Sequence, residues 1–346
     1  MKFLDLFAGI GGFRLGMESA GHECVGFCEI DNFARASYKA IHNTEGEIEL
    51  HDATGITKKK IKAIGQVDVI CAGFPCQPFS VAGARRGFED TNGTLFFEIA
   101  RFASVLKPKY LFLENVKGLI SHDKGNTFET IIESLDELGY DVEWQVLNSK
   151  DFGVPQNRER VFIIGHLRGE CTRRIFPIER DVPEANRKRQ IDFVIPVLTP
   201  NRLEKRQNGR RFKTNGEPMF TLTTQDQHGV LLQEKKLKIR EATTKGYAEA
   251  RIGDSVNIAN INSKTKRGRV GNQIANTLLA SEQQGVVGSD YRIRRLTPRE
   301  CWRLQGFPDS AFDKAQAVTS NSQLYKQAGN SVTVNVIAEI AKYFKE

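Results

Sequence analysis

Cys76 lies in Gly73-Phe74-Pro75-Cys76-Gln77-Pro78-Phe79-Ser80, framed by two prolines. Proline cannot sit in a central ladder, so this frame reads as a stiffened loop after the apolar run Val67–Ala72. Ligands meet open parallel sheets at such carboxyl-end loops. A thiol there is a nucleophile if it is partly exposed near positive charge; in a core it is an inert small hydrophobe. Glu114 closes the apolar run Tyr110–Leu113 in Leu113-Glu114-Asn115-Val116. A carboxyl so placed is either part-buried with a raised pKa, able to donate a proton near neutrality, or an ion-paired strand end. Arg158 and Arg160 alternate in Gln156-Asn157-Arg158-Glu159-Arg160, so both point to one face of an extended segment. That face could orient a carboxylate or bind phosphate.

A second group of residues suits a bound nucleotide-like molecule. Asp5-Leu-Phe-Ala-Gly9-Ile-Gly11-Gly12-Phe13 ends a strand and opens a helix. Glycines there allow a tight turn and close approach to backbone N–H groups. Glu29 follows about 20 residues later, at a strand end, where an acid can hold the two hydroxyls of an adenosine ribose or simply cap a helix. Asp52 could accept an adenine amino group. The loop is not G-x-G-x-x-G, because Arg14 occupies the last position.

These groups need a scaffold, and the first half of the chain supplies one. Lys2–Phe7, Cys24–Ile30, Val67–Ala72, Tyr110–Leu113, Val142–Leu147 and Val161–Gly165 read as strands. Phe13–Ala20, a segment from Asn32, Leu95–Leu106 and Thr127–Leu138 read as helices between them. Such alternation implies a mostly parallel, doubly wound α/β sheet. After about Leu167 the alternation stops. The expected division is a catalytic domain of residues 1–178, completed by 319–346, and a smaller domain of 179–318. Thr297-Pro298-Arg299-Glu300 carries a capping box with proline at the first helical position. Ser331–Phe344 reads as a last helix returning to the first domain.

Charge divides the chain too. Residues 171–295 hold 25 Lys+Arg and 13 Asp+Glu, a net +12, and the remainder is net −4. A contiguous basic segment suits either a nucleic-acid face or a solvated basic surface. Within it, Phe220–Val230 repeats weakly as Asn276–Val286 at an offset of 56 residues. Two similar loops presenting polar side chains to a ligand would explain the repeat. The six cysteines include no C-x-x-C pair, so no zinc site is expected. No apolar run approaches the roughly 20 residues of a membrane helix, and Asp5 breaks any signal-peptide apolar region. The expectation is a cytoplasmic protein with no metal and no membrane partner.

Taken in order, these motifs resemble the DNA cytosine-5 methyltransferase family, in its compact bacterial restriction–modification form. DLFAGIGGF resembles the family's first cofactor motif, GFPCQPFS its catalytic loop, ENV its acid motif and QNRER its Q-x-R-x-R motif. Asn92-Gly-Thr-Leu-Phe96, Arg295-Leu-Thr-Pro-Arg-Glu-Cys301 and Gln327-Ala-Gly-Asn-Ser-Val332 resemble three further motifs. By the same resemblance the segment from about Leu167 to Arg294 corresponds to the family's variable target-recognition region, and its Thr277-Leu278 resembles the Thr-Leu pair found there. His51-Asp52-Ala53 departs from the frequent Gly-Asp-Ile, although Asp52 is retained.

The resemblance implies a Rossmann-like S-adenosylmethionine-dependent methyltransferase domain acting on double-stranded DNA. It makes Cys76 the nucleophile toward a flipped-out cytosine, with Glu114, Arg158 and Arg160 stabilising the charge that develops. S-adenosyl-L-methionine would sit at Phe7, Ala8, Gly9, Gly11, Gly12, Glu29, Ile30, Asp52, Ala53, Pro75, Leu95, Asn330 and Ser331. Composition and repeat position nominate Arg210, Arg211, Gln225, Gln227, His228, Lys264, Lys266, Arg267, Arg269 and Thr277 for DNA. A monomer on DNA is implied, with a cognate restriction endonuclease as a functional partner. Competing readings are a tRNA cytosine-5 methyltransferase, a catalytically idle DNA-binding relative, and a nicotinamide-dependent oxidoreductase. The basic recognition region, the intact Cys76, Glu114 and Arg160, and the absent G-x-G-x-x-G disfavour them in turn.

Overall fold

The computed structural model describes residues 1–75, 95–178, 193–198, 228–233, 236–259, 263, 265–280, 283–290 and 292–344. Its centre is a seven-stranded sheet. The strands are β1 (Lys2–Leu6), β2 (Glu23–Cys28), β3 (Ile48–Leu50), β4 (Val69–Gly73), β5 (Tyr110–Val116), β6 (Tyr140–Asn148) and β8 (Glu159–Leu167), in the order β3-β2-β1-β4-β5-β8-β6. The first five lie parallel; β8 runs antiparallel to both β5 and β6. The central strands are apolar on both faces because helices cover both. On one side Leu4, Leu6, Ile70, Ala72, Leu111 and Leu113 share a core with Ile61 of α3 (Lys58–Lys62), α4 (Leu95–Leu106) and α5 (Asn126–Glu137). On the other, Phe3, Val69, Cys71 and Phe112 meet Phe13 and Met17 of α1 (Gly12–Ser19) and Val336, Ile337 and Ile340 of α9 (Val334–Ala341).

The last helix therefore does return to the sheet, close against α1. A Cβ on Gly16 would fall 2.5 Å from Ile337 Cγ2. It is shorter than Ser331–Phe344, however. Ser331 instead ends a preceding helix, α8 (Asn321–Asn330), and the intervening turn carries polar groups into the interior. The capping box forms as read: Thr297 Oγ1 accepts from the Glu300 amide and Glu300 accepts from the Thr297 amide, opening α6 (Pro298–Leu304). Residues 298–316, placed with the second domain on composition, pack beside the sheet domain. Trp302, Phe307 and Phe312, the last in α7 (Asp309–Gln316), share a core with Ile10 and with Ile41 of α2 (Asn32–Ile41).

The basic segment builds short strands. β9 (Phe193–Leu198) pairs with β10 (His228–Gln233), and β11 (Leu237–Arg240) with β12 (Tyr247–Ala250), both antiparallel. β13 (Ser255–Asn257), β14 (Val270–Gly271), β16 (Gln284–Val287) and β17 (Ile293–Arg295) form a four-stranded sheet. One strand leaves this group: β15 (Ala275–Asn276) runs parallel to β7 (Gln156–Asn157), beside the catalytic face. Among the described residues, no helix is long and apolar enough to cross a membrane.

Candidate active site and cofactor cavity

Neighbouring strands explain why motifs 40 residues apart belong together. β4 and β5 are parallel and in register, with Gly73 opposite Glu114. The start of the catalytic loop and the acid thus leave the same edge side by side. The Phe74 amide donates to the Glu114 carbonyl at 3.3 Å, and Asn115 Nδ2 donates to the Phe74 carbonyl at 2.8 Å. Asn115, which the sequence offered only as part of a motif, fixes the backbone two residues before Cys76. Cys76 itself lies outside the described residues.

Glu114 is buried, 7 % exposed, and Arg160 reaches it across the antiparallel β5–β8 pair, Nε to Oε1 at 3.0 Å. Burial pushes its carboxyl above the usual range, and the charges of Arg160 and Arg158 oppose that push. Both readings of this acid hold at once: it is ion-paired, and its proton is still easier to keep than in water.

Arg158 does not join that ion pair. It is 3 % exposed, and its guanidinium turns to three backbone carbonyls: Leu278 at 3.3 Å, Gly329 at 3.3 Å and Ser331 at 2.8 Å. It acts on Glu114 only through its charge. Burial, then Arg160, lower its pKa to about 9, so it stays a cation at neutral pH.

The glycine loop forms the opposite wall. Phe7, Gly9 and Gly11 all have positive φ, at 55°, 57° and 82°. Glu29 braces the turn with both oxygens: Oε2 accepts from the Gly9 amide and Oε1 from the Asp31 amide, each at 2.7 Å. Gly11, the N-cap of α1, offers no side chain to the helix's first amides. At Gly12 a Cβ would lie 2.8 Å from both Ser331 Oγ and Val332 Cγ2, so the C-terminal turn closes directly on this loop.

Between these walls is a cavity of about 430 Å³. Of the residues expected to hold a cofactor, Phe7, Ala8, Gly9, Gly12, Glu29, Pro75, Asn330 and Ser331 line it, as do Glu114, Arg158 and Arg160. Gly11, Ile30, Asp52, Ala53 and Leu95 are not among its lining residues. Ile30 is exposed next to Glu29, and Leu95 begins α4. Asp52 is also exposed, and its Oδ1 accepts from the Thr54 amide and hydroxyl, which keeps its pKa low. Sequence reasoning missed Asp31 and Lys326, which pair at 2.8 Å on the cavity wall. Asp31 was legible as the N-cap of α2, where it accepts from the Phe33 and Ala34 amides.

Of the nominated DNA contacts, Arg210, Arg211, Gln225, Gln227 and Lys264 lie outside the described residues, as does the His228 side chain. Arg267 is exposed and Lys266 partly so. Thr277 Oγ1 donates to the Asn157 carbonyl at 2.8 Å. Arg269 is a correction: it is 1 % exposed, and its guanidinium donates to the carbonyls of Asn257 and Ala259. Composition nominates it for DNA, but the backbone carbonyls of Asn257 and Ala259 hold its guanidinium inside.

A doubly wound sheet carrying this loop, acid and cavity is the Rossmann-like fold of S-adenosylmethionine-dependent methyltransferases. Within that class the chain belongs to the C-5 cytosine-specific DNA methylase family, whose model matches residues 1–346. It is a DNA cytosine-5 methyltransferase. Type II methyltransferase M.HhaI of Haemophilus parahaemolyticus is 37 % identical, over 99 % of this chain and 93 % of its own length. Orphan methyltransferase M.SPRI of Bacillus phage SPR is 32 % identical, over 99 % of this chain and 97 % of its own. The fold is shared with Spodoptera frugiperda DNMT2, at a TM-score of 0.57 and 21 % identity, covering 99 % of this chain and 98 % of that one.

Proposed function

We propose that the chain methylates carbon 5 of a cytosine swung out of a specific duplex sequence, with S-adenosyl-L-methionine as donor and Cys76 as nucleophile. Carbon 5 of cytosine is a poor nucleophile. Addition of the Cys76 thiolate to carbon 6 makes the ring an enamine able to attack an electrophilic methyl group. The donor's sulfonium would supply that methyl, its S–CH3 bond breaking as the electron pair returns to sulfur and neutral S-adenosyl-L-homocysteine departs. Glu114 gives a hydrogen bond or proton to ring nitrogen 3 and accepts a hydrogen bond from the amino group, stabilising the electrons displaced by the thiolate. Arg160 orients the Glu114 carboxyl. Loss of the carbon 5 proton to a base then expels Cys76 and restores the aromatic ring.

The observation that carries this reading is the register of Gly73 against Glu114, with Arg160 on the acid and the cavity directly beside them. The cavity suits the donor. Its volume falls in the range of about 300–1,000 Å³ usual for small-molecule sites. Glu29 presents a carboxylate to ribose hydroxyls, and the first amides of α1 suit a carboxylate group. Phe7, Ala8, Gly9, Gly12, Pro75, Asn330 and Ser331 would enclose it, with Gly11, Ile30, Asp52, Ala53 and Leu95 in outer positions. Residues 179–295 would read the DNA, with Lys266, Arg267 and Thr277 as described candidates, and residues 298–344 belong with the catalytic sheet. A cytoplasmic monomer in a restriction–modification setting fits this reading.

Expression in a host without cytosine methylation, followed by bisulfite sequencing, tests it. Protected cytosines in one short motif, lost in Cys76→Ser, are expected. A folded protein that protects nothing, or a Cys76→Ser variant that still protects, overturns the reading.

A further inference from the structure

We infer that Arg158 is a positioning residue that couples the recognition region to the cofactor cavity. The inference rests on reading the cavity as the S-adenosylmethionine site and the basic segment as the DNA reader. One buried guanidinium holds the Leu278 carbonyl from the recognition region, the Gly329 carbonyl in the last turn of α8 and the Ser331 carbonyl at its C-cap, where the chain walls the cavity. These partners lie 120, 171 and 173 residues away in sequence. The cation has no carboxylate within bonding distance among these contacts, so its solvation inside the protein depends on all three carbonyls staying in place.

Two further observations make the link stiff. The recognition segment is clasped to residues 155–157, which lead directly into Arg158. The Ala275 amide donates to the Pro155 carbonyl at 2.7 Å, Thr277 Oγ1 to the Asn157 carbonyl at 2.8 Å, and the Leu278 amide to Gln156 Oε1 at 3.0 Å. On the far side the two partner segments touch backbone to backbone. A Cβ on Gly329 would fall 2.3 Å from the Leu279 carbonyl carbon and 2.5 Å from the Ala280 nitrogen. A ligand against Asn330 and Ser331 fixes one end of this assembly, and DNA against residues 276–280 fixes the other. Each ordering lowers the cost of the next, so the two ligands help one another.

The test titrates S-adenosyl-L-homocysteine calorimetrically into the full chain. It is done with and without saturating sheared genomic DNA from a host lacking cytosine methylation. Wild type should bind the nucleoside tighter by on the order of tenfold when DNA is present. Arg158→Lys keeps the charge, but one ammonium cannot span both sides; its ratio should fall toward one, whatever its affinity for the nucleoside alone. A purely structural Arg158 would weaken both affinities and leave the ratio intact, which overturns the proposal. So does a wild-type ratio of one. If the variant does not fold, hydrogen exchange on wild type decides. The nucleoside alone should slow exchange in residues 275–280, and protection confined to 7–13 and 323–332 overturns the coupling. Absence of any binding heat sinks the cofactor reading itself, a result distinct from heat with a ratio of one.

Discussion

Glu114 sits where burial and two arginines pull its proton in opposite directions, and burial is the larger effect. A proton-donating acid is active while protonated, so turnover should fall as pH rises through its raised pKa. Glu114→Gln should remove that alkaline limb and cost about 10²- to 10⁴-fold in turnover. A pH series of single-turnover rates for both proteins checks it, and a limb that survives the substitution rules Glu114 out as its source. Stability carries the same sign. A carboxyl with a raised folded pKa stabilises fully below its unfolded pKa, and that contribution is lost as pH rises through the folded value. The sequence exposed this residue because an acid closing an apolar strand is conspicuous, and the Arg158–Arg160 alternation put both arginines on one face. It did not expose what Arg158 holds. Carbonyls carry no sequence signature, and those of Leu278, Gly329 and Ser331 come from segments that only the fold brings together.

Elements were legible wherever local chemistry decided them. The helix read over Leu95–Leu106 ends at Leu106 as expected, and the capping box at Thr297 starts α6. The last helix, expected over Ser331–Phe344, spans only Val334–Ala341. Here Ser331 is instead the C-cap of α8, and its carbonyl goes to Arg158. Thr333 in the same turn bonds Gln305 and Ser149 in the interior. Tertiary hydrogen bonds thus decided a boundary that propensity left open. The helix that ends at this turn yields a prediction. Gly329 is helical with an ordinary φ, so Gly329→Ala would favour an isolated helix by about 0.5–1 kcal/mol. In place, its methyl would meet the Leu279–Ala280 backbone, which cannot swing aside as a side-chain tip can. Urea unfolding should therefore show net destabilisation of about 1–3 kcal/mol. A variant as stable as wild type, or more so, would mean the two segments can part freely.

On the scale of the molecule, charge and fold divide the labour unevenly. Residues 171–295 carry +12 while the remainder is −4, so attraction to a polyanion belongs to the segment that lies beside the catalytic face through β15 and β7. Not every cation there is available to DNA. Arg267 is exposed, whereas Arg269, two residues on, supports its own sheet from within. Composition cannot separate the two, because both sit in the same run of basic residues and only burial distinguishes them. Salt dependence can. Each phosphate neutralised contributes about −0.9 to the slope of log affinity against log salt. Arg267→Gln should make the slope shallower by about one phosphate and leave thermal stability within about 0.5 kcal/mol of wild type. Arg269→Gln should do the reverse: the slope of the folded fraction stays as in wild type, and stability drops by about 2 kcal/mol because buried carbonyls lose their donor. Fluorescence-anisotropy titrations on duplex DNA at several salt concentrations, with melting curves for both variants, measure the two quantities separately. Equal slope losses in the two variants would place Arg269 on the DNA face after all.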